Sequence, residues 1–316
     1  MLNSPLVRLL SFLYRMGAIL RFKPPSIKVD AVVVSIGNIA IGGTGKTPTL
    51  IFLAKELLAK EIPIAVLSRG YLSQQEHKQP IRVAPHHSWK EVGDEPYLIY
   101  RRLKCPVYVG KNRVVSATMA VAAGAKVLLL DDGFQYQRLY RDIDIVTLCA
   151  DRPYAYFRER LGALKRADLV VVKSEGRGGR KEVGDVWMRV KVARAEDLRG
   201  VKVGAFCGIG NPKSFFRTLQ ELGTVVVDSY VVRDHKEFPQ LARFAKRCLE
   251  KGASYLVCTE KDGVRISSED LFIRRLSMDF EIEYGKEKWE KLIENIIDIV
   301  QNGYRCLKRS KSPFPN

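Results

Sequence analysis

The chain has 316 residues, 46% hydrophobic and 28% charged, a balance that excludes an intrinsically disordered protein and leaves length for two buried cores. Its 53 Lys and Arg outnumber 35 Asp and Glu, and the resulting charge of +18 points to a partner rich in negative charge: nucleic acid, an anionic membrane surface or a phosphorylated substrate. The six cysteines (Cys105, Cys149, Cys207, Cys248, Cys258 and Cys306) are scattered without C-x-x-C or metal-like spacing, which favours reduced core thiols, and no apolar run is long enough to span a bilayer.

Residues 2–23 come before the first strand. Leu6, Leu9, Leu10, Leu13, Met16, Ile19 and Leu20 recur at helical spacing, broken by Arg8, Arg15 and Arg21. The arginines argue against a span, and there is no small-residue cleavage site of a signal peptide. An amphipathic helix lying on a membrane surface is the expectation for 1–23, ended by Pro24-Pro25. The same stripe also suits a helix packed on its own domain.

The stretch from Val32 to Thr49, VVVSIGNIAIGGTGKTPT, is the centre of the chain. An apolar β-branched run stops at Gly37-Asn38, a glycine-rich turn follows, and Lys46-Thr47 opens a helix over about 47–60. Strand, glycine loop and helix with Gly-Lys-Thr at the joint is a P-loop layout. Gly42, Gly43 and Gly45 let the backbone of the loop, Thr44 included, turn its amides toward one anion at the start of a helix. Lys46 supplies charge for the β- and γ-phosphates, and the Thr47 hydroxyl is placed to hold Mg²⁺. Ala40 stands where the generic pattern has its first glycine. The expectation is a bound nucleoside triphosphate.

Further βα units follow: strands at Ile64–Leu67, Ile81–Val83, Pro106–Val109, Val127–Leu130, Ile143–Leu148 and Leu169–Val172, with helices after Pro96 and over 113–123. Continuous apolar strands alternating with helices predict a parallel sheet covered on both faces. Leu128-Leu129-Leu130-Asp131-Asp132 is a Walker B pattern, in which an apolar strand delivers a carboxylate, Asp131 or Asp132, to the metal beside the P-loop. EGRGGR (175–180) has linker composition, and a second βα series begins at Val201. The fold class is therefore α/β: a P-loop NTPase-like domain (24–180), a second smaller α/β domain (181–285), and a C-terminal amphipathic helix (286–316) suited to packing back on the first domain.

Nine segments, in order, resemble the tetraacyldisaccharide 4′-kinase family of lipid A biosynthesis. They are SIGNIAIGGTGKTP (35–48), LSRGY (67–71), GDEP (93–96), KNR (111–113), DDGFQYQRLYRD (131–142), RERLGALKRADLVV (158–171), GIGNPKSF (208–215), RDHKEF (233–238) and TEKD (259–262). The chain departs from the family at Tyr136, where His is usual, and at Phe157-Arg158-Glu159-Arg160, which lacks a usual proline. The resemblance implies transfer of the γ-phosphoryl of ATP, with Mg²⁺, to the 4′-hydroxyl of a lipid A disaccharide 1-phosphate at the cytoplasmic face of the inner membrane. An acylated, phosphorylated substrate suits both the amphipathic N-terminus and the charge.

Several site residues follow from that match. Arg69, Arg113 and Arg158 stand at ends of predicted strands, where α/β sheets gather ligands, and with Glu95 they are expected at the substrate. Gln135 is expected at Mg²⁺ waters or a phosphate oxygen, and Lys261 either at nucleotide or as a strand cap. Of the four histidines only His235 matches a family motif, and Asp94 in Gly-Asp-Glu-Pro is the carboxylate suited to take the hydroxyl proton. The expectation is an Asp94–His235 dyad across a cleft. Two other readings are open: a nucleic-acid-dependent ATPase, for which no arginine–aromatic strip speaks, and a membrane-associated nucleotide-binding regulator.

Overall fold

A computed structural model describes residues 26–40, 43–150, 158–159, 161–174, 184–193, 195–266 and 272–302. The amphipathic stretch 1–23, the linker 175–180 and the tail beyond 302 lie outside the described residues. In chain order the elements are β1 (Val32–Gly37), α1 (Lys46–Ala59), β2 (Ile64–Ser68), β3 (Ile81–Arg82), α2 (Trp89–Val92), α3 (Asp94–Leu103), β4 (Val107–Val109), α4 (Arg113–Ala122), β5 (Val127–Asp131), β6 (Ile143–Cys149), β7 (Leu169–Lys173) and β8 (Val186–Val192). There follow β9 (Lys202–Cys207), α5 (Pro212–Glu221), β10 (Val225–Val231), α6 (Leu241–Glu250), β11 (Tyr255–Thr259), α7 (Glu260–Gly263), β12 (Ile273–Leu276), β13 (Met278–Tyr284) and α8 (Lys286–Asn302).

Among the described residues nine strands form one sheet in the order β13-β8-β7-β6-β1-β5-β2-β4-β3, parallel except at its two edges. β1 lies between β5 and β6, with Ile36 opposite Asp131 and Gly37 opposite Val146. The turn after β1 and the acidic pair after β5 therefore leave the sheet side by side. The unbroken apolar strands are explained by cover on both faces. Val32, Val34 and Ile36 face Leu50, Leu53 and Leu57 of α1, Ile99 of α3 and Ile296 of α8. Val33 and Leu128 face Ala117 and Ala120 of α4.

The second sheet has the order β10-β9-β11-β12, all parallel. Phe215 and Leu219 of α5 fill one face, and Phe244 and Cys248 of α6 fill the other. Cys105, Cys149, Cys207, Cys248 and Cys258 are free and buried.

Strand pairing places two boundaries differently from the expectation. β8 pairs with β7 (Val172 opposite Trp187), and β13 runs back antiparallel to β8 (Phe280 opposite Val190). Positions 180 and 285 therefore do not separate the two sheets, because the small sheet is an excursion between two strands of the large one. β13 is pinned where it returns: Asp279 accepts from Arg102 at 2.6 Å and from Lys55 at 2.7 Å. Its sequence, MDFEIEY, has three carboxylates and reads as solvated surface, which an edge strand permits.

α8 closes the large sheet. Trp289 is 2% exposed and packs on Phe52 of α1 at 5.3 Å between ring centroids, and its indole N–H has no hydrogen-bond partner. Trp289→Ala should therefore lower the unfolding free energy by about 3–5 kcal/mol. Trp289→Phe, which keeps ring contact and gives up less volume together with an unused donor, should be milder. Urea unfolding of the two variants checks this, and equal losses would mean that the indole does more than fill volume.

Candidate active site at the carboxyl end of the sheet

The nucleotide end is built on the turn after β1. Asn38 donates to the Thr44 hydroxyl at 3.0 Å, Thr44 shares a hydrogen bond of 2.9 Å with Thr147 of β6, and Thr147 donates to Gly37 O. These buried hydroxyls tie the loop to the strands on either side. Gly45 follows with φ 89°, a left-handed conformation that suits glycine, and a Cβ there would stand 2.9 Å from the Phe280 ring. No side chain caps the start of α1, so its first amides remain available to an anion. Lys46 and Thr47 occupy that first turn, and Gly43 lies beside Asn211 of the second sheet. Gly42 lies outside the described residues.

The acidic pair after β5 divides its partners unequally. Asp132, in a left-handed conformation (φ 51°), accepts from Lys46 Nζ at 2.7 Å and from Arg158 Nη1 at 2.8 and 3.0 Å. Burial alone pushes its carboxyl up, but these two cations outweigh it and bring the pKa to about 2. Asp131 is buried and, among the described residues, accepts from Ser68 Oγ alone, at 2.9 Å. Burial, with the charges of Glu95 and Asp132 beside it, raises its pKa to about 7. A carboxylate in this state is suited to a cation. Among the described residues no three potential ligands converge, as Mg²⁺ permits, since it takes one or two carboxylates and completes its shell with water and phosphate. Asp131, Asp132 and the Thr47 hydroxyl fit that demand.

The predicted arginines separate. Arg158 is fixed beside the loop through its N–H to Ile39 O at 2.6 Å. Arg113 is buried, with its guanidinium 4.8 Å from the Tyr136 ring and Nη1 donating to Lys111 O at 3.2 Å. Arg69 pairs with Glu76 at 2.5 Å. Gln135 donates to Asn38 O at 2.8 Å and to Glu159 at 2.9 Å, so its amide hydrogens are used within the protein, bracing the loop.

At the other end of the cleft Asp94 opens α3 after Gly93, whose φ is 98°. His235 Nδ1 donates to Asp94 Oδ2 at 3.0 Å, joining the two sheets. Burial raises the Asp94 carboxyl, but the His235 hydrogen bond and the Lys261 charge outweigh it and hold it below the usual carboxylate range. The same hydrogen bond raises the His235 pKa against its own burial. His235 has φ 63° and is fixed by its N–H to Asp234 Oδ1 at 3.0 Å.

Lys261, just past the end of β11, lies among acids. It donates to Glu95 at 2.9 Å and Asp234 at 3.2 Å and lies 4.0 Å from Asp94, tying three acids of both sheets together. Glu95 is thus held by a lysine. Behind these groups Asp262 and Arg265 form a buried ion pair. Arg265 also donates to Lys236 O at 2.8 Å and Gly208 O at 2.9 Å, which fixes the turns carrying His235 and Lys261. Sequence reasoning left out Asp234, Asp262 and Arg265, although Thr-Glu-Lys-Asp at the end of β11 repeats the acidic strand end of β5.

Comparison with known proteins identifies the arrangement. A family model for tetraacyldisaccharide-1-P 4′-kinase (LpxK) matches residues 3–298. The chain belongs to this family. Tetraacyldisaccharide 4′-kinase of Jannaschia sp. is 37% identical over 290 residues, covering 84% of this chain and 87% of that one. The enzyme of Halothermothrix orenii is 33% identical over 294 residues, covering 77% and 76%. In structure the chain is similar to LpxK of Aquifex aeolicus in complex with ATP, with a TM-score of 0.67 and 26% identity over 92% of this chain and 95% of that one. Membership makes this protein an ATP-dependent 4′-kinase of the lipid A precursor.

Because Lys46 is the cation nearest the loop and shares Asp132 with Arg158, Lys46→Ala should reduce turnover by about 10²-fold or more with the fold intact. Asp131→Asn and Asp132→Asn should both lower turnover and shift the Mg²⁺ dependence. Thermal melts and a magnesium titration of kcat read these outcomes, and two Asn variants matching wild type across the titration would remove the acidic pair from the metal site.

Proposed function

We propose that phosphoryl transfer takes place in the cleft between the two sheets, with Asp94 as the base that takes the 4′-hydroxyl proton and His235 as its positioning partner. The contact between His235 Nδ1 and Asp94 at 3.0 Å carries this reading, because it places an ionised carboxylate at the cleft on the same sheet edge as Lys46. The first amides of α1, with Gly42, Gly43, Thr44 and Gly45 leading into them and Lys46 beside them, hold the β- and γ-phosphates of ATP. Thr47, Asp131 and Asp132 hold Mg²⁺, which neutralises charge on the phosphates when bound. Arg158 and Arg113 face charge on the transferred group or the acceptor, Arg69 and Glu95 line the acceptor side, and Gln135 braces the loop.

Transfer of this kind asks little basicity of its acceptor, since bond formation lags bond breaking. A carboxylate with a depressed pKa therefore serves, provided it is ionised and aimed. His235 supplies the aim and receives a share of the proton's charge, and Asp234 at 3.6 Å from Nε2 steadies the imidazole. The small sheet within 181–285 acts as the closing half of the cleft, so that the base is complete only when the halves meet.

The protein works at the cytoplasmic face of the inner membrane as a peripheral enzyme. The +18 charge and the arginine-flanked apolar stripe of 2–23 support this placing, and among the described residues no helix is long and apolar enough to cross a membrane. Nucleic acid is no partner.

Asp94→Ala and His235→Ala should each lower kcat far more than ATP affinity, and the double variant should be little worse than the poorer single one, since members of a unit are non-additive. His235→Ala also removes the strongest influence lowering the Asp94 pKa and leaves burial, so the acid limb of its pH–rate profile should move to higher pH. Multiplicative losses with an unmoved acid limb would sink the dyad. Deletion of residues 1–22 should release the enzyme from anionic vesicles at low salt. A truncated, folded protein that sediments with vesicles as the full chain does would refute the anchor.

A further inference from the structure

A second cleft, of about 430 Å³, opens beside Tyr136, over whose ring Arg113 lies, and is lined by His77, Lys78, Lys111, Asn112, Tyr136 and Arg138 among others. Its charged lining, Lys78, Lys111 and Arg138, is all basic, with His77 and the Tyr136 phenol beside them. The nearest carboxylate, Glu76, is taken by Arg69 at 2.5 Å and stands 3.9 Å from His77 Nε2. Among the described residues no carboxylate pairs with Lys78, Lys111 or Arg138, in a molecule whose other cleft cations (Lys46, Arg158, Lys261) are all paired with acids. Exposed lysines left without counter-charge around one concavity are placed for an anion.

Arg113 adjoins this cleft through Tyr136 and is close enough to Asp131 and Asp132 for them to act on its charge. It is 6% exposed, and its Nε is buried without a hydrogen-bond partner. A continuous run of side chains leads from there to the base. The Arg113 guanidinium lies over Tyr136, the Arg69 guanidinium lies 5.9 Å from the Tyr71 ring, and Tyr71 stands edge-on to His235 at 5.9 Å between centroids. Arg69 is close enough to Arg113 to act on its charge. The cleft thus adjoins Arg113, and a second stack, Arg69 on Tyr71, reaches His235 beside Asp94.

The rim has the complementary apolar character. Ile27 donates its N–H to Arg138 O at 2.8 Å, and Lys28 lies 5.4 Å from the Tyr140 ring. Ile27 and Tyr140 are 46% and 43% exposed, so an apolar shoulder flanks the cationic cleft. Such a pair of surfaces suits a phosphate attached to an acylated body.

The acceptor of the family carries a phosphate at position 1, on the sugar opposite the one that bears the 4′-hydroxyl. We propose that the cleft of Lys78, Lys111 and Arg138 binds this 1-phosphate and so orients the disaccharide with its unphosphorylated end at Asp94. The inference rests on the reading of Asp94 as the base. Selectivity for a phosphorylated acceptor then comes from cations that take no part in the chemistry. The same phosphate chemistry is offered by anionic phospholipid, and the test separates the two.

The test uses the full chain in neutral detergent micelles, with the tetraacyldisaccharide 1-phosphate and the same disaccharide lacking the 1-phosphate as acceptors. Lys78→Ala/Lys111→Ala/Arg138→Ala should lose about 10-fold or more in kcat/KM on the phosphorylated acceptor, through KM, as expected when charge-assisted hydrogen bonds are removed. Its kcat/KM on the dephosphorylated acceptor and its KM for ATP should stay within about two-fold of wild type. The milder Lys78→Gln/Arg138→Gln, with a thermal melt beside it, repeats the measurement if the triple variant is unstable. Asp94→Asn should lower kcat on both acceptors equally and keep the preference for the phosphorylated one. Failure of that arm alone would strike the base assignment and leave the cleft standing. A triple variant that prefers the 1-phosphate as wild type does, or loses equally on both acceptors, would overturn the proposal. So would a loss that appears only when anionic phospholipid vesicles replace the micelles, which would assign the cleft to the membrane surface.

Discussion

The contact between Asp94 and His235 is the constraint around which the molecule is arranged. Asp94 opens α3, which packs on the large sheet, and His235 follows β10 of the small one, which is reached and left through adjacent strands of the large sheet, β8 and β13. Burial is the largest influence on the Asp94 carboxyl and by itself would drive it toward the neutral form. It stays ionised because His235 and Lys261 arrive from the other side. The charge state of Asp94 is thus a property of the assembled pair of sheets, and a loop that wandered would lose it.

That dependence explains why ion pairing lies behind the loops as well as within the cleft. Asp262 and Arg265 are fully buried, and a pair of this kind adds little stability over an apolar pair of the same shape, whereas breaking one half costs about 3–5 kcal/mol. What the pair contributes is position. Asp262 accepts from Gly208 N at 2.9 Å and Arg265 binds the carbonyls of Gly208 and Lys236, so three turns of the small sheet are fixed to one another. His235 and Lys261 stand on two of those turns. Left-handed backbone at His235 is a strained choice for a residue of this kind, and such strain persists where the surroundings over-determine it.

How much of this could be read from the sequence depends on the range of the interaction. The phosphate loop, the acidic strand end and the parallel sheet are local patterns, and the residues from Val32 to Thr49 specify theirs almost alone. α8 was legible as an amphipathic stripe, and Trp289, Ile293 and Ile296 lie on the buried side of it. β13 was not, because MDFEIEY alternates acids with apolar residues and has a meaning only beside β8. Lys261 was visible as a motif residue without a role, since its three acids come from positions 94, 95 and 234 and only the fold brings them together. The arginine trio shows the limit of strand-end reasoning. Arg158 reaches the acidic pair and Arg113 stacks beside it, but Arg69 turns to Glu76.

Tyr136, where the family usually has His, makes sense in this setting. An imidazole under the Arg113 guanidinium would at times carry a second positive charge against it, in a buried place that already disfavours one. A phenol ring carries none at any pH, and its face attracts the guanidinium at 4.8 Å. Arg141 donates to the Tyr136 carbonyl at 2.6 Å and also holds Asp144 of β6 at 2.7 Å, so the ring is anchored to the sheet through its own backbone. Arg113 therefore stacks on a ring that adds no positive charge of its own.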